Sequence, residues 1–300
     1  MINIVGNRRV FFIITAIVIL VCAISLATFG LRAGVEFSSG SALTVDFEDE
    51  VTQDELEEEL VNLGYKGAIV QEFMQGGGYL LRLPRLSSVE KDELEEGLTA
   101  RFGALAGEAA FEKDVDPIIA AETTQNAAIA VAVAAVGILL YIAWAFRRMP
   151  NPFRYGTCAI IALVHDTLVA LGVFSILGGT MGWEIDLSFV IGILAVIGYS
   201  VNNTVVVFDR IRENLSREGR IDFETTVNSS LVETLSRSLN TSLTTLFVVL
   251  ALMLFVGASI QNFAVVLLIG IIAGTYSSLC IAPALLVVWR NRERRRAAAQ

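Results

Sequence analysis
The chain has 300 residues, 54% of them hydrophobic, with a mean hydropathy of +0.64 and a formal net charge of −9. That profile excludes an ordinary soluble domain and predicts several membrane spans around one soluble region. The acidity belongs to one exposed segment: all three lysines, Lys66, Lys91 and Lys113, and a dense set of acids lie between Leu31 and Glu122. Arginines gather instead at the ends of apolar runs, and no nucleic-acid partner is expected. Cys22, Cys158 and Cys280 are scattered in or beside apolar runs, so neither a disulfide framework nor a metal site is indicated.

Residues 1–30 hold Arg8 and Arg9 followed by the apolar run Val10–Phe29. The run is longer than the ~7–15 residues of a signal-peptide core and no A-x-A site follows it, so it reads as an uncleaved first span. Residues 31–122 read as a folded domain. Gly40–Phe47 is rich in β-formers, and Thr52–Leu63 opens with a polar cap and sets Leu56, Leu60 and Leu63 on one helical face. Gly67–Phe73 and Tyr79–Leu83 read as strands joined through Gly76-Gly77-Gly78. Ser87–Phe102 is a second capped helix, and Glu108–Val115 is a closing strand before Pro117. The order β-α-β-β-α-β predicts an α+β ferredoxin-like domain. Its Glu-rich helix faces lack calcium-loop spacing and read as solvated surface.

Five further runs reach the ~17–25 residues that cross a bilayer. They are Ala127–Phe146, Gly156–Leu177, Leu187–Phe208, Ser238–Val256 and Ala264–Trp289, a five-helix bundle within 123–290 ahead of an Arg-rich tail, 291–300. The whole is expected to be an α-helical polytopic membrane protein with six transmembrane helices. Arg147, Arg148 and Arg154 join spans two and three; Arg210, Arg212, Arg217, Arg220 and Arg237 join spans four and five. The opposite loops, Gly178–Asp186 and Gly257–Phe263, contain no Lys or Arg. The positive-inside rule therefore places both termini in the cytoplasm of a multi-pass cell-membrane protein and residues 31–122 outside it.

Polar residues inside the spans are the candidate functional ones. Asp166, beside the single histidine His165, costs on the order of 2.5–3.5 kcal/mol to bury in a bilayer and needs a partner, a water-lined cavity or a proton. Coupling and simple helix packing both stay open for it. Asn202 and Asn203 interrupt span four, while Arg237, Asn240, Thr241, Thr244 and Thr245 share one face of span five. That face suits the Asn pair as a neighbour; interhelical glue worth ~0.6–2 kcal/mol is the rival reading. Asp209, Arg210, Arg212 and Glu213 pair at i,i+3 and are expected to fix the depth and exit angle of span four. Gly270-x-x-x-Gly274 is a close-packing pattern. The sequence holds no Walker A lysine motif, no H-E-x-x-H and no nucleophile–base set, so neither an enzyme nor a cofactor is expected.

The runs VIGYSVNNTVVVFDRIREN (Val196–Asn214), ETLSRSLNTSLTTL (Glu233–Leu246) and Val164-His165-Asp166 resemble the SecF family, the smaller subunits of the SecD–SecF protein-export complex among the RND-type transporters. Gly34, Glu36, Phe37 and Gly40 are similar to that family's Gly-x-Asp-Phe-x-Gly-Gly-Ser/Thr signature, with Glu for Asp and Ser39 for the first of the paired glycines. The resemblance implies a SecD-like partner, a SecYEG-type channel and a translocating preprotein, with the proton-motive force driving late translocation and release. It also implies that Arg237 is the family arginine of proton movement and that position 203 is its acidic position. Here position 203 is Asn, whose amide carries no titrating proton near neutral pH. Either the partner's acid carries the proton, or Asp166 substitutes, or the coupling differs. A stand-alone RND-type small-molecule exporter and a purely structural stabiliser of the channel are the alternatives.

Overall fold
A backbone in lipid must satisfy its own N–H and C=O groups, which makes the first apolar run a helix, α1 (Arg8–Thr28). The computed structural model describes residues 3–72, 78–106, 110–147, 151–217, 222–255 and 260–298. After α1 comes a one-turn helix, α2 (Val35–Ser38), and then the acidic segment. Its elements are β1 (Gly40–Val45), α3 (Gln53–Asn62), β2 (Ile69–Glu72), β3 (Tyr79–Leu83), α4 (Ser88–Phe102) and β4 (Ala110–Val115). Capping sets where its two helices begin. Thr52 with Glu55, and Ser87 with Glu90, each form a reciprocal capping box at the first turn.

The strands pair antiparallel in the order β2-β3-β1-β4, the arrangement of a ferredoxin-like split βαβ unit. Alternation along β3 sends Tyr79, Leu81 and Leu83 into a core with Leu43, Val45, Val70 and the helix residues Leu56, Leu60, Leu94 and Leu98. The intervening Arg82 therefore faces the other side of the sheet. Of the glycine hairpin, residues 73–77 lie outside the described residues, although β2 and β3 pair from Ile69↔Arg82 to Glu72↔Tyr79.

Five longer helical segments follow: α5 (Pro117–Phe146), α6 (Pro152–Met181), α7 (Leu187–Arg217), α8 (Phe223–Phe255) and the pair α9 (Gln261–Tyr276) and α10 (Ala282–Ala298). With α1 they make six helices long and apolar enough to cross a membrane. A π-helical turn, Ser277–Ile281, separates α9 from α10. Pro283 lies just past it; a proline there cannot donate to the carbonyl four residues back, and the wider turn absorbs the misfit. Small residues let α7 and α9 approach closely. A Cβ on Gly192 would meet Val266, one on Gly270 would meet Val196, and one on Gly274 would lie 3.2 Å from Ser200 Cβ.

Helices α7 and α8 run past the expected span ends as an antiparallel hairpin. Val207, Phe208 and Ile211 are buried there against Phe223, Val227 and Leu231, together with Val5, Phe146 and Tyr155. Asn228 Oδ1 accepts from the N–H groups of Ile4 and Val5, and Arg8 pairs with Glu224, tying the N-terminal residues to this base.

Candidate functional site
Asp166 lies midway along α6 with a relative exposure of 0%. Its Oδ2 accepts from the hydroxyl of Ser200 on α7 and, at 2.7 Å, from that of Ser277 in the π-helical turn. His165 Nδ1 stands 2.9 Å from Oδ1. Three membrane segments thus converge on one carboxyl, and Gly274 lies beside it, where a Cβ would be in van der Waals contact with Asp166 Oδ2 at 3.5 Å. This is the internal pairing that a buried acid in a bilayer requires. Ser277 opens the π turn and is buried, and such turns recur at functional sites. Against the ring of His165 stands Tyr276, whose hydroxyl donates to Phe11 O on α1.

A second polar line crosses the bundle nearby. Tyr199 on α7 donates to Ser242 on α8 at 3.0 Å, and Ser242 meets Thr275 on α9 at 2.6 Å. The antiparallel register carries Asn203 to the level of Ser238 one turn further along. Both are buried, and Asn203 Nδ2 and Ser238 Oγ have no hydrogen-bond partner among the described residues. The two asparagines separate: Asn203 is 4% exposed, whereas Asn202 lies on the outside, in an apolar cleft with Gly137, Ile138 and Tyr141 of α5. The polar face of α8 does not turn towards them. Arg237, Asn240, Thr241 and Thr244 are all exposed on the outside of the bundle, with Thr245 half-buried beside them. Among the described residues no hydrogen bond or ion pair joins Arg237 to the Asn pair; Ser242, one face round, makes the α7–α8 contact instead.

The Gly34–Ser41 signature forms the joint between sheet domain and bundle. Gly34 N–H donates to Ile185 O at 2.8 Å and Ile185 N–H to Arg32 O at 2.7 Å, so the chain after α1 is stitched to the loop between α6 and α7. Glu36 and Phe37 lie on α2, which packs on α5. At Gly40, φ is +132° and a Cβ would meet Leu83 O at 2.5 Å, so a side chain is excluded. Arg82 reaches across this joint to Glu184 at 2.6 Å and also donates to Ala33 O and Ser38. Glu184 is 8% exposed, and burial, outweighing Arg82, pushes its carboxyl up to about 7.

At the far end, Asp209–Arg212 and Arg210–Glu213 form the expected i,i+3 pairs. Arg210 also pairs with Glu233 of α8 at 2.5 Å, and Asn214 donates to Glu233 at 2.9 Å and to Ser230 at 3.0 Å. These charges link the two arms of the α7–α8 hairpin rather than only ending a span. Among the described residues no cluster of three or more His, Cys, Asp or Glu is placed to hold a metal ion.

Sequence reasoning missed Ser200, Ser277 and the Arg82–Glu184 pair. Glu184 did carry a signal, as an acid within a short loop between two spans. Nothing local marks Ser277 as a partner of Asp166, a residue far away in sequence.

Comparison with known proteins gives concordant likenesses. The profile described as protein export membrane protein SecD/SecF, C-terminal, matches residues 99–292. Protein translocase subunit SecF of Thermobaculum terrenum is 45% identical, over 98% of this chain and 95% of that one. The SecF subunit of Anaerolinea thermophila is 40% identical over 98% and 96%. SecDF of Bacillus subtilis is 33% identical and matches 98% of this chain, which covers 39% of it. The crystal structure of SecDF from Thermus thermophilus, a translocon-associated membrane protein, superposes with a TM-score of 0.84 at 33% identity, over 97% of this chain and 39% of that one. The chain thus spans about two fifths of the SecDF proteins and nearly the whole of the separate SecF subunits.

Proposed function
Since the chain belongs to the SecD/SecF protein-export family, we propose that it is the SecF half of a two-part export device whose other half is a separate SecD-like subunit. The exposed polar face of α8 carries this reading. A guanidinium and an amide on the outside of a membrane bundle are costly against lipid and call for a protein neighbour, whereas the Thr241 and Thr244 hydroxyls beside them donate to carbonyls of their own helix. In the SecDF relatives both halves lie in one chain, and here the second half supplies that neighbour. An acid of the partner's membrane helices faces Arg237 and carries the proton, because the amide of Asn203 does not titrate. Asp166, enclosed and fully bonded, fastens α6, α7 and the π turn as the frame against which the partner moves.

In this reading both termini and the α7–α8 hairpin are cytoplasmic, following the arginines, and the sheet domain lies outside. The device acts beside a SecYEG-type channel on the emerging preprotein, using the proton-motive force for late translocation and release. Catalysis of a chemical reaction is no part of it. Affinity purification from native membranes in mild detergent tests the assignment. A SecD-like protein and the channel subunits are expected to accompany the chain. Recovery as a homo-oligomer alone would instead favour a stand-alone exporter.

A further inference from the structure
We propose that the cavity at the arginine-rich end of the bundle binds the phosphate of an anionic phospholipid. The cavity, about 460 Å³, opens where the start of α6 meets α10 and the first turn of α8. Three arginines line it: Arg154, Arg290 and Arg294. Arg154 is paired with Glu293, and Arg294 lies 3.7 Å from Asp222. Arg290 has no carboxylate partner among the described residues; its guanidinium stands 4.0 Å over the ring of Phe223. Among the described residues, Glu293 and Asp222 thus offset two of the three guanidinium charges and leave that of Arg290 over. Helix α6 adds to it, since Asn151 provides no side-chain cap and its N-terminal dipole end is open to an anion.

The depth of the cavity identifies the source of the phosphate. Phe153, 76% exposed, makes an edge contact with Trp289, and Arg147 lies over the exposed ring of Trp144. Exposed aromatic rings beside arginines mark the headgroup level of a membrane protein. Basic pockets between helices at that level take anionic headgroups. Below the cavity, Ile161 and Val164 lie exposed along α6, an apolar surface on which acyl chains can rest. The site depends on the chain's being embedded in a bilayer and not on its export role, nor on which leaflet it faces.

Native mass spectrometry of the full chain in detergent tests this with three probes: phosphatidylglycerol, phosphatidylcholine and inorganic phosphate. One phosphatidylglycerol is expected to be retained in preference to phosphatidylcholine. Arg290→Gln weakens it about fivefold, the share of one arginine at a membrane surface. Arg290→Lys keeps most of the affinity, and Arg295→Gln on the exposed tail changes nothing. Thermal unfolding of each variant reports folding; if Arg290→Gln does not fold, Arg294→Gln takes its place with the same expected direction. Equal retention by wild type and the folded variant overturns the proposal. So does equal retention of phosphatidylcholine, or displacement of the lipid by millimolar inorganic phosphate, which makes the cavity a free-anion site.

Discussion

Ser39 holds φ 63° and ψ 161°, a backbone region that glycine occupies almost alone. In the signature that Gly34–Ser41 resembles, this position is glycine; here a serine sits at the turn between α2 and β1. The strain is about 1–3 kcal/mol, and glycine's extra chain entropy offsets about 0.5–1 kcal/mol of its relief. Ser39→Gly is accordingly expected to stabilise the chain by about 1 kcal/mol in a thermal melt; a lower melting temperature would contradict the strain. Asp166 is held by hydrogen bonds from three segments. Its removal in Asp166→Ala strands the buried Ser200 hydroxyl and His165 Nδ1, each costing about 1–3 kcal/mol, and leaves Ser277 only Gly274 O, whereas Ser200→Ala removes one donor from a carboxyl that keeps others. Asp166→Ala should lose at least twice as much stability as Ser200→Ala in denaturant titrations. If Asp166 serves as frame, Asp166→Asn keeps most export in vesicles while Arg237→Ala loses it. The opposite pattern would hand the proton to Asp166.

The joint between the sheet domain and the bundle is where an element-scale pH dependence belongs. Burial lifts the Glu184 carboxyl from its ordinary 4.5 to about 7. Between those values the folded chain holds a proton that the unfolded chain has released, so stability falls as pH rises through the window. The change is on the order of 3 kcal/mol. Glu184→Gln is expected to flatten that slope in melts between pH 4.5 and 8, and an unchanged slope would assign it to other groups. Much of this architecture was legible locally. The capping boxes at Thr52 and Ser87, the leucine spacing of α3 and α4 and the six apolar runs are all short-range patterns that physics reads directly. The α7–α8 hairpin was not, because Asp209, Arg210, Arg212 and Glu213 look like the end of a span. The signal lay one layer beneath, in Phe223, Val227 and Leu231 at four-residue spacing. Contacts such as Ser277 to Asp166 join distant parts of the chain, and a single sequence carries no record of them.

At the scale of the whole molecule, the chain is a membrane half with a small sheet domain fastened to one end and a charged helical hairpin at the other. Its inner faces are closed by Gly192, Gly270 and Gly274 packing and by the Asp166 cage. Its polar face on α8 is open. In the proposed device a SecD-like subunit covers that face. Cysteine cross-linking tests it most directly, in a full chain whose Cys22, Cys158 and Cys280 have been replaced, co-expressed with the partner in native membranes. Cysteines at Thr241 and Thr244 are expected to cross-link to a membrane helix of the SecD-like subunit, while one at the exposed Val133 on α5 is not. Cross-linking at Val133 with none at Thr241 or Thr244 would rule this arrangement out and leave Arg237 facing something other than a SecD-like helix.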